Sequence, residues 1–208
     1  EQATKHQGET IRTTGLTLFS AQLRRRTLAF WLVWFCINLS YYGAFIWIPS
    51  LLVKQGFTLV KSFGFTLIIT VAQLPGYAVA AWLIEVIGRR LTLALFLAGS
   101  ALSALGFAVA GTESTIVAAG CALSFFNLGA WGALYAIGPE LYPTSLRGTG
   151  TGAAAGVGRL ASIIAPLLVP VLMGGGGIVT TFAVFAVSFA LAAGAAFLLP
   201  EKRDVGID

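Results

Sequence analysis

The sequence predicts an all-α membrane protein, a bundle of six transmembrane helices, and three observations predict it. Hydrophobic residues make up 57% of the 208 and charged residues 10%, against roughly 45–50% and 25% in ordinary soluble domains. The mean hydropathy is +0.87. The apolar residues fall in long runs without alternation, which excludes an outer-membrane barrel, whose strands alternate over short segments. Short polar turns separate the runs, and each run is close to the roughly 20 residues a helix needs to cross the lipid bilayer.

In chain order, residues 1–23 read as a polar cytoplasmic lead-in, in which Ile11, Leu16, Leu18, Phe19 and Leu23 suit a short interfacial helix. The chain starts at Glu1 and its first apolar run follows this leader, so it reads as cut from the middle of a longer protein and not as a signal peptide. Residues 24–200 form the bundle. The first span, 27–53, carries Asn38, Tyr41, Tyr42 and Pro49. The second, 62–87, places Gln73 and Tyr77 on one face, with Pro75-Gly76 predicted to break the helix ladder. Such breakers are tolerated where neighbours or a cavity satisfy the freed carbonyls. The third, 91–110, is the least polar and is expected on the outside of the bundle. The fourth, 115–137, sets Asn127, Trp131 and Tyr135 at i, i+4 and i+8. The fifth, 149–173, follows a string of small residues (Gly148, Gly150, Gly152, Gly156) that lets backbones approach closely. Residues 174–177 read as a turn, 178–199 as the sixth span and 201–208 as a cytoplasmic tail.

The net charge is +5, and the basic residues sit at segment ends. One side has Arg24, Arg25, Arg26, Arg89, Arg90, Arg147, Lys202 and Arg203; the other has Lys54 and Lys61. The richer side is expected to be cytoplasmic, with both termini there. No basic stripe is interleaved with stacking aromatics, so no nucleic-acid partner is expected. Cys36 and Cys121 lie inside apolar runs and read as small core residues. His6 is the one histidine; no metal-ligand spacing, cofactor motif or catalytic constellation follows. Gly156-x-Gly158-x-x-Ala161 fits a loose dinucleotide fingerprint, but that motif needs a preceding strand, and inside an apolar helix it reads as packing.

Arg159 is the costly residue. It falls about 15 Å into its span at 1.5 Å per residue, near the middle of a core about 30 Å thick. An arginine there costs at least about 2.5–3.5 kcal/mol unless a cavity or partner receives it. One reading is a cavity arginine that forks onto an anionic substrate, since guanidinium matches carboxylate bidentately. The other is a structural arginine bonded to carbonyls or to a carboxylate on another helix. Asn38, Tyr41, Tyr42, Gln73, Asn127 and Trp131 are polar-tipped groups at similar depth and suit a substrate cavity around it. No Asp or Glu lies mid-span, so any proton-coupling carboxylate lies elsewhere. Glu85, Gly88, Arg89 and Arg90 at one turn, with Glu140 and Arg147 at another, are expected to form a cytoplasmic gate. There a salt-bridge cluster would lock one conformation and open in the other.

Pro139-Glu140-Leu141-Tyr142-Pro143-Thr144-x-x-Arg147-Gly148, preceded by Glu85-x-x-Gly88-Arg89-Arg90, resembles the second half of a major facilitator superfamily transporter. The resemblance runs from Arg24 onward. It implies one half of that fold, helices seven to twelve of a twelve-helix carrier, with the N-terminal six-helix half as the missing partner. Such carriers bind a small-molecule substrate between halves that rock against each other. Gly156-Val157-Gly158-Arg159, Asn38-x-x-Tyr41-Tyr42-Gly43 and Gln73-Leu74-Pro75-Gly76 look most like the aromatic-acid and niacin-type proton symporters and organic-anion carriers. The position of Arg159 tends to be acidic in organic-cation relatives. The resemblance thus implies alternating-access, proton-coupled transport of a small organic anion, an aromatic carboxylate, across the cell membrane. Sugar porters share the Pro-Thr-x-x-Arg-Gly turn, and Pro200-Glu201 echoes their closing motif, but they lack the mid-span arginine, and their glutamine-rich seventh helix is absent here. A sugar porter and a truncated, non-transporting scaffold or pairing subunit are the alternatives.

Overall fold

The computed structural model describes residues 17–200. Six helices follow one another: α1 (Arg24–Lys54), α2 (Leu59–Val71), α3 (Gln73–Ile87), α4 (Arg89–Val109), α5 (Glu113–Leu141) and α6 (Arg147–Ala196). Among the described residues there is no strand. Among the described residues five stretches are long and apolar enough to cross a membrane, because α2 and α3 form one run, Leu59–Ile87. The lead-in residues up to Leu16, with His6 and Ile11, and the tail with Lys202 and Arg203 lie outside the described residues.

Local chemistry sets the helix ends. Thr58 caps α2 by accepting from the Lys61 amide at 3.3 Å. Thr112 and Thr115 form a reciprocal capping box at the start of α5, and Glu113 in that first turn suits the positive end of the helix dipole. Gly88 adopts φ 89° between α3 and α4, a left-handed conformation that L side chains rarely take.

The interruption in the Leu59–Ile87 run falls at Ala72, upstream of the predicted break at Pro75-Gly76. Pro75 has no N–H for the carbonyl one turn back, at Val71, and its ring crowds that carbonyl. The disturbance therefore appears on the N-terminal side of the proline. Gly76 itself stays helical and buried, with its Cα against the carbonyl of Phe125. The turn predicted over 174–177 narrows to one residue: only Gly177, at φ 71° and ψ −159°, leaves helical geometry inside α6. The 50-residue α6 would be about 75 Å long if straight, more than twice the hydrocarbon core, so Gly177 divides it into two helices.

α1 packs along α6, α4 lies against both α5 and α6, and α3 leans on α5. Phe30, Phe107, Phe182, Phe185 and Phe189 are fully buried in the shared core. The expectation that the third span would lie outermost holds for one face only. α4 buries Leu93, Phe96, Leu97 and Phe107, while Leu95, Leu102 and Leu105 point outward. The least covered run is Leu59–Ile87, with 17% of its most apolar window buried against 56% for α4. Low polarity does not by itself assign a helix to the outside. The small residues of α4 admit neighbours: Gly99 faces the Phe126 ring.

Residues 17–23 pack rather than trail. Leu18 is buried and its carbonyl accepts from the Thr27 hydroxyl at 2.9 Å. Phe19 meets Trp31 edge-on at 5.3 Å.

Candidate functional site

The residues singled out in the sequence gather on α1, α5 and the first half of α6. On α1, Trp34, Asn38, Tyr41 or Tyr42, and Phe45 recur at helical spacing and so share a face. α5 presents Trp131 and Tyr135 to them. Trp34 meets both edge-on at 5.5 Å, and Trp131 stacks on Tyr135 at 5.6 Å. Tyr41 reaches Trp131 at 6.1 Å and Tyr42 at 5.1 Å. Pairs of this geometry contribute about 0.5–1.5 kcal/mol each beyond their area. Together they fix a continuous aromatic wall.

Arg159 stands at the edge of that wall. Its guanidinium donates to the Tyr42 hydroxyl at 3.5 Å, and the residue is exposed. Among the described residues it makes no ion pair, so none of their carboxylates serves as the structural partner considered above. Its neighbour Gly158 brings α6 onto α1: a Cβ there would lie 2.6 Å from Asn38 Nδ2 and 3.0 Å from Trp34 Cε3. Ala161 of the same Gly-rich run is fully buried, which is helix packing.

The other predicted residues differ in what they offer. Asn38 is engaged: its amide donates to the Trp34 carbonyl at 2.8 Å and accepts from the Ser162 hydroxyl at 3.3 Å. It therefore pins α1 to α6. Asn127 is fully buried, and neither its oxygen nor its nitrogen has a partner. The indole N–H groups of Trp34 and Trp131 are also unpaired. Each such group costs about 1–3 kcal/mol when left unsatisfied, so this wall carries polar capacity that a ligand would use. Gln73, half-buried at the start of α3, makes no hydrogen bond or ring contact with the set. Tyr77, one turn on, lies against Gly132, whose Cβ position is 3.4 Å from the ring.

Sequence reasoning left out Trp34 and Ser162. Trp34 had a signal, since it lies one turn before Asn38 on the same face. Ser162 became visible only when Gly158 fixed how closely α6 approaches. Trp34 and Tyr135 also line a groove of about 400 Å³ between α1, α5 and α6, with Phe30, Thr151 and Gly152.

The arginines converge at one end of the bundle. Arg89 pairs with Glu140 at 3.1 Å. Arg26 donates to the Leu141 carbonyl at 3.3 Å and Arg90 to the Leu199 carbonyl at 3.4 Å. Tyr142 is buried, its hydroxyl 2.9 Å from that of Thr27 and its ring over Gly150. The predicted gate cluster is thus reduced. Glu85 and Arg147 are exposed and make no ion pair among the described residues. Gly88 redirects the chain between Glu85 and Arg89, so the two sit on different helices and the local pairing expected from their spacing does not form. The lysine end holds Lys61–Glu113 at 2.9 Å, about half exposed on both sides, which limits it to roughly 0.2–1 kcal/mol.

Comparison with known proteins bears on the whole chain. The family model described as sugar (and other) transporter matches residues 1–203. The niacin transporter NiaP of Acinetobacter baylyi is 54% identical over 156 residues, covering 75% of this chain and 36% of that protein. The 3-(3-hydroxy-phenyl)propionate transporter of Escherichia coli is 30% identical, covering 90% of this chain and 47% of its own length. This chain therefore spans less than half of either relative. The crystal structure of FucP, a major facilitator transporter in the outward conformation, superposes with a TM-score of 0.68. That match has 19% identity and covers 88% of this chain and 44% of FucP, a likeness of fold. The apolar helices fit a multi-pass protein of the cell membrane. By this match the chain belongs to the sugar (and other) transporter family, a family of transporters and not of enzymes, and its fold is that of a major facilitator carrier.

Proposed function

We propose that this chain is the C-terminal half of a secondary active carrier that moves a small organic anion, an aromatic carboxylate, by alternating access with proton coupling. The observation that carries the reading is the Arg159 guanidinium, without an ion-pair partner among the described residues and 3.5 Å from the Tyr42 hydroxyl at the edge of the Tyr41–Trp131 aromatic wall. A ring stacks on the wall while its carboxylate takes the guanidinium, which favours this class over a neutral solute. Relatives carrying the names of niacin and hydroxyphenylpropionate transporters support the same class.

In this reading Gly177 separates a fifth from a sixth span, and the arginine-rich end with both termini faces the cytoplasm. Residues 1–23 belong to the central loop and 201–208 to the tail. The N-terminal six-helix half supplies the other wall of the cavity and the proton-coupling carboxylate. Arg89 and Glu140 form the gate contact on this half.

The test is uptake by the complete carrier in proteoliposomes, wild type against Arg159→Gln and Arg159→Lys, with benzoate, nicotinate and a hexose. The expected result is acid uptake that Arg159→Gln abolishes at unchanged protein level. Hexose uptake, or normal acid uptake by Arg159→Gln, returns the reading to a sugar porter with a structural arginine. That alternative draws on the family description itself.

A further inference from the structure

Two cavities adjoin at the arginine-rich end of the bundle. One is the apolar groove of about 400 Å³ that Phe30, Trp34, Tyr135 and Thr151 line. The other, about 660 Å³, is polar and lined by Gln22, Arg26, Thr144 and Arg147 among others. Their linings are neighbours along the chain: Pro139 and Gly148 line the first, and Glu140 and Arg147 the second.

The same elements pass from charge to ring in the same direction. On α1, Arg26, Phe30 and Trp34 stand at i, i+4 and i+8 on one face. On α6, Arg147 and Thr151 are one turn apart, with the Thr151 hydroxyl donating to the Arg147 carbonyl at 2.6 Å. On α1 the guanidinium-bearing residue thus precedes the first ring by one turn, about 5.4 Å along the axis, and on α6 Arg147 precedes the groove-lining Thr151 in the same way.

The charges there are not used up. Glu140 is engaged by Arg89 at 3.1 Å. Arg26 donates to a neutral carbonyl, and Arg147 has no ion pair among the described residues. The Trp34 indole N–H, on a residue 6% exposed, has no partner. A groove of this volume falls within the range of small-molecule sites.

We infer that this groove is a second station for an aromatic carboxylate, with its ring in the groove against Trp34 and Tyr135 and its carboxylate toward Arg147 and Arg26. The inference rests on the reading that Arg159 binds the same class of anion. Thr151 and Arg159 lie eight residues apart on α6, about 12 Å, and the rings Trp34, Trp131 and Tyr41 bridge that interval at 5.5 and 6.1 Å. An acid leaving Arg159 toward this end has aromatic contact throughout.

Gly152 offers the cleanest test. A Cβ there meets nothing within 4 Å, so a side chain can begin at this position without a clash, and leucine would extend from it into the groove that Gly152 lines. Equilibrium dialysis of radiolabelled benzoate against the complete carrier, purified in detergent, measures the stoichiometry. The expected result is two benzoates per carrier in wild type, one in Gly152→Leu, one in Arg159→Gln and none in the double variant. Tyr135→Leu, at a residue 61% exposed, loses the same benzoate as Gly152→Leu, and Arg147→Gln weakens it by about tenfold, the loss of one charge-assisted contact. Inorganic phosphate at equal concentration does not displace it. Two benzoates retained in both Gly152→Leu and Tyr135→Leu overturn the inference, as do displacement by phosphate and a wild type that binds none up to about 10 mM. Two benzoates retained in Arg159→Gln while Gly152→Leu loses one leave the groove standing and overturn the Arg159 reading instead.

Discussion

Gly158 of α6 faces Asn38 of α1 so closely that a Cβ there would come within 2.6 Å of the Asn38 amide nitrogen. That contact sets the position of Arg159, the next residue, against Tyr42, one turn beyond Asn38 on α1. Gly158→Ala forces the Asn38 amide or the Trp34 ring to move. Overpacking of this kind costs about 1–3 kcal/mol. The expected outcome is a lower melting temperature in detergent together with weaker benzoate binding at Arg159. An alanine variant with unchanged melting and binding would show that the two helices have room to separate.

Gly76 poses the same question against backbone instead of side chain. Its Cβ position collides with the carbonyl of Phe125, which cannot rotate away. Gly152, by contrast, has open space, and alanine is the better helix former by about 0.5–1 kcal/mol. Thermal unfolding is therefore expected to rank Gly76→Ala well below wild type and Gly152→Ala at or above it. Equal melting of the two variants would contradict the α3–α5 contact.

Much of this arrangement was legible in the sequence, for identifiable reasons. Runs of apolar residues and the cost of a lipid-exposed backbone leave few folds, and glycine and proline mark where helices touch or stop. Hence the long apolar helices and the Tyr41–Trp131 association could be anticipated. What could not be read were quantities that depend on neighbours. The break at Ala72 appears a few residues before the proline that causes it. The Asn38 side-chain oxygen is taken by the Ser162 hydroxyl of α6, which no spacing along α1 reveals. Glu85 makes no ion pair among the described residues because Gly88 turns the chain, and of the expected charge cluster the Arg89–Glu140 pair forms.

That pair has a measurable size. Arg89 and Glu140 are each about a third exposed, at 36% and 34%, so solvent screening keeps their coupling within roughly 1 kcal/mol. A double-mutant cycle with Arg89→Gln and Glu140→Gln reads it directly. The expected coupling is a few tenths to 1 kcal/mol, and Glu85→Gln is expected to couple to neither. A Glu85 coupling as large as that of Glu140 would restore the wider gate cluster.

Tyr142 gives the arginine-rich end a pH dependence. Burial pushes its phenol above the ordinary value, while the Thr27 hydrogen bond and the Arg26 charge act the other way. The folded state thus holds this proton more tightly than the unfolded chain does. Its contribution to stability is complete below the ordinary tyrosine value of about 10 and is lost as pH rises beyond it. Tyr142→Phe removes the hydrogen bond, which costs about 0.5–1.5 kcal/mol near neutral pH. It also flattens the alkaline loss. Melting curves from pH 8 to 11 compare the two proteins; parallel curves throughout would mean that Tyr142 is not the titrating group.

Asn127 separates stability from function most sharply. It is fully buried and both side-chain polar atoms lack partners, an arrangement that packing alone does not require. Leucine has nearly the same shape and no polar atoms to desolvate, so Asn127→Leu is expected to melt at or above the wild-type temperature, gaining up to about 1–3 kcal/mol. If the amide serves the substrate, the same variant loses uptake in the complete carrier by at least about tenfold, the equivalent of 1.4 kcal/mol. A structural amide predicts the opposite pattern: lower melting and uptake that follows protein level alone. Measuring both on one preparation decides between them, because no purely structural role makes a protein more stable and less able to transport through the same substitution.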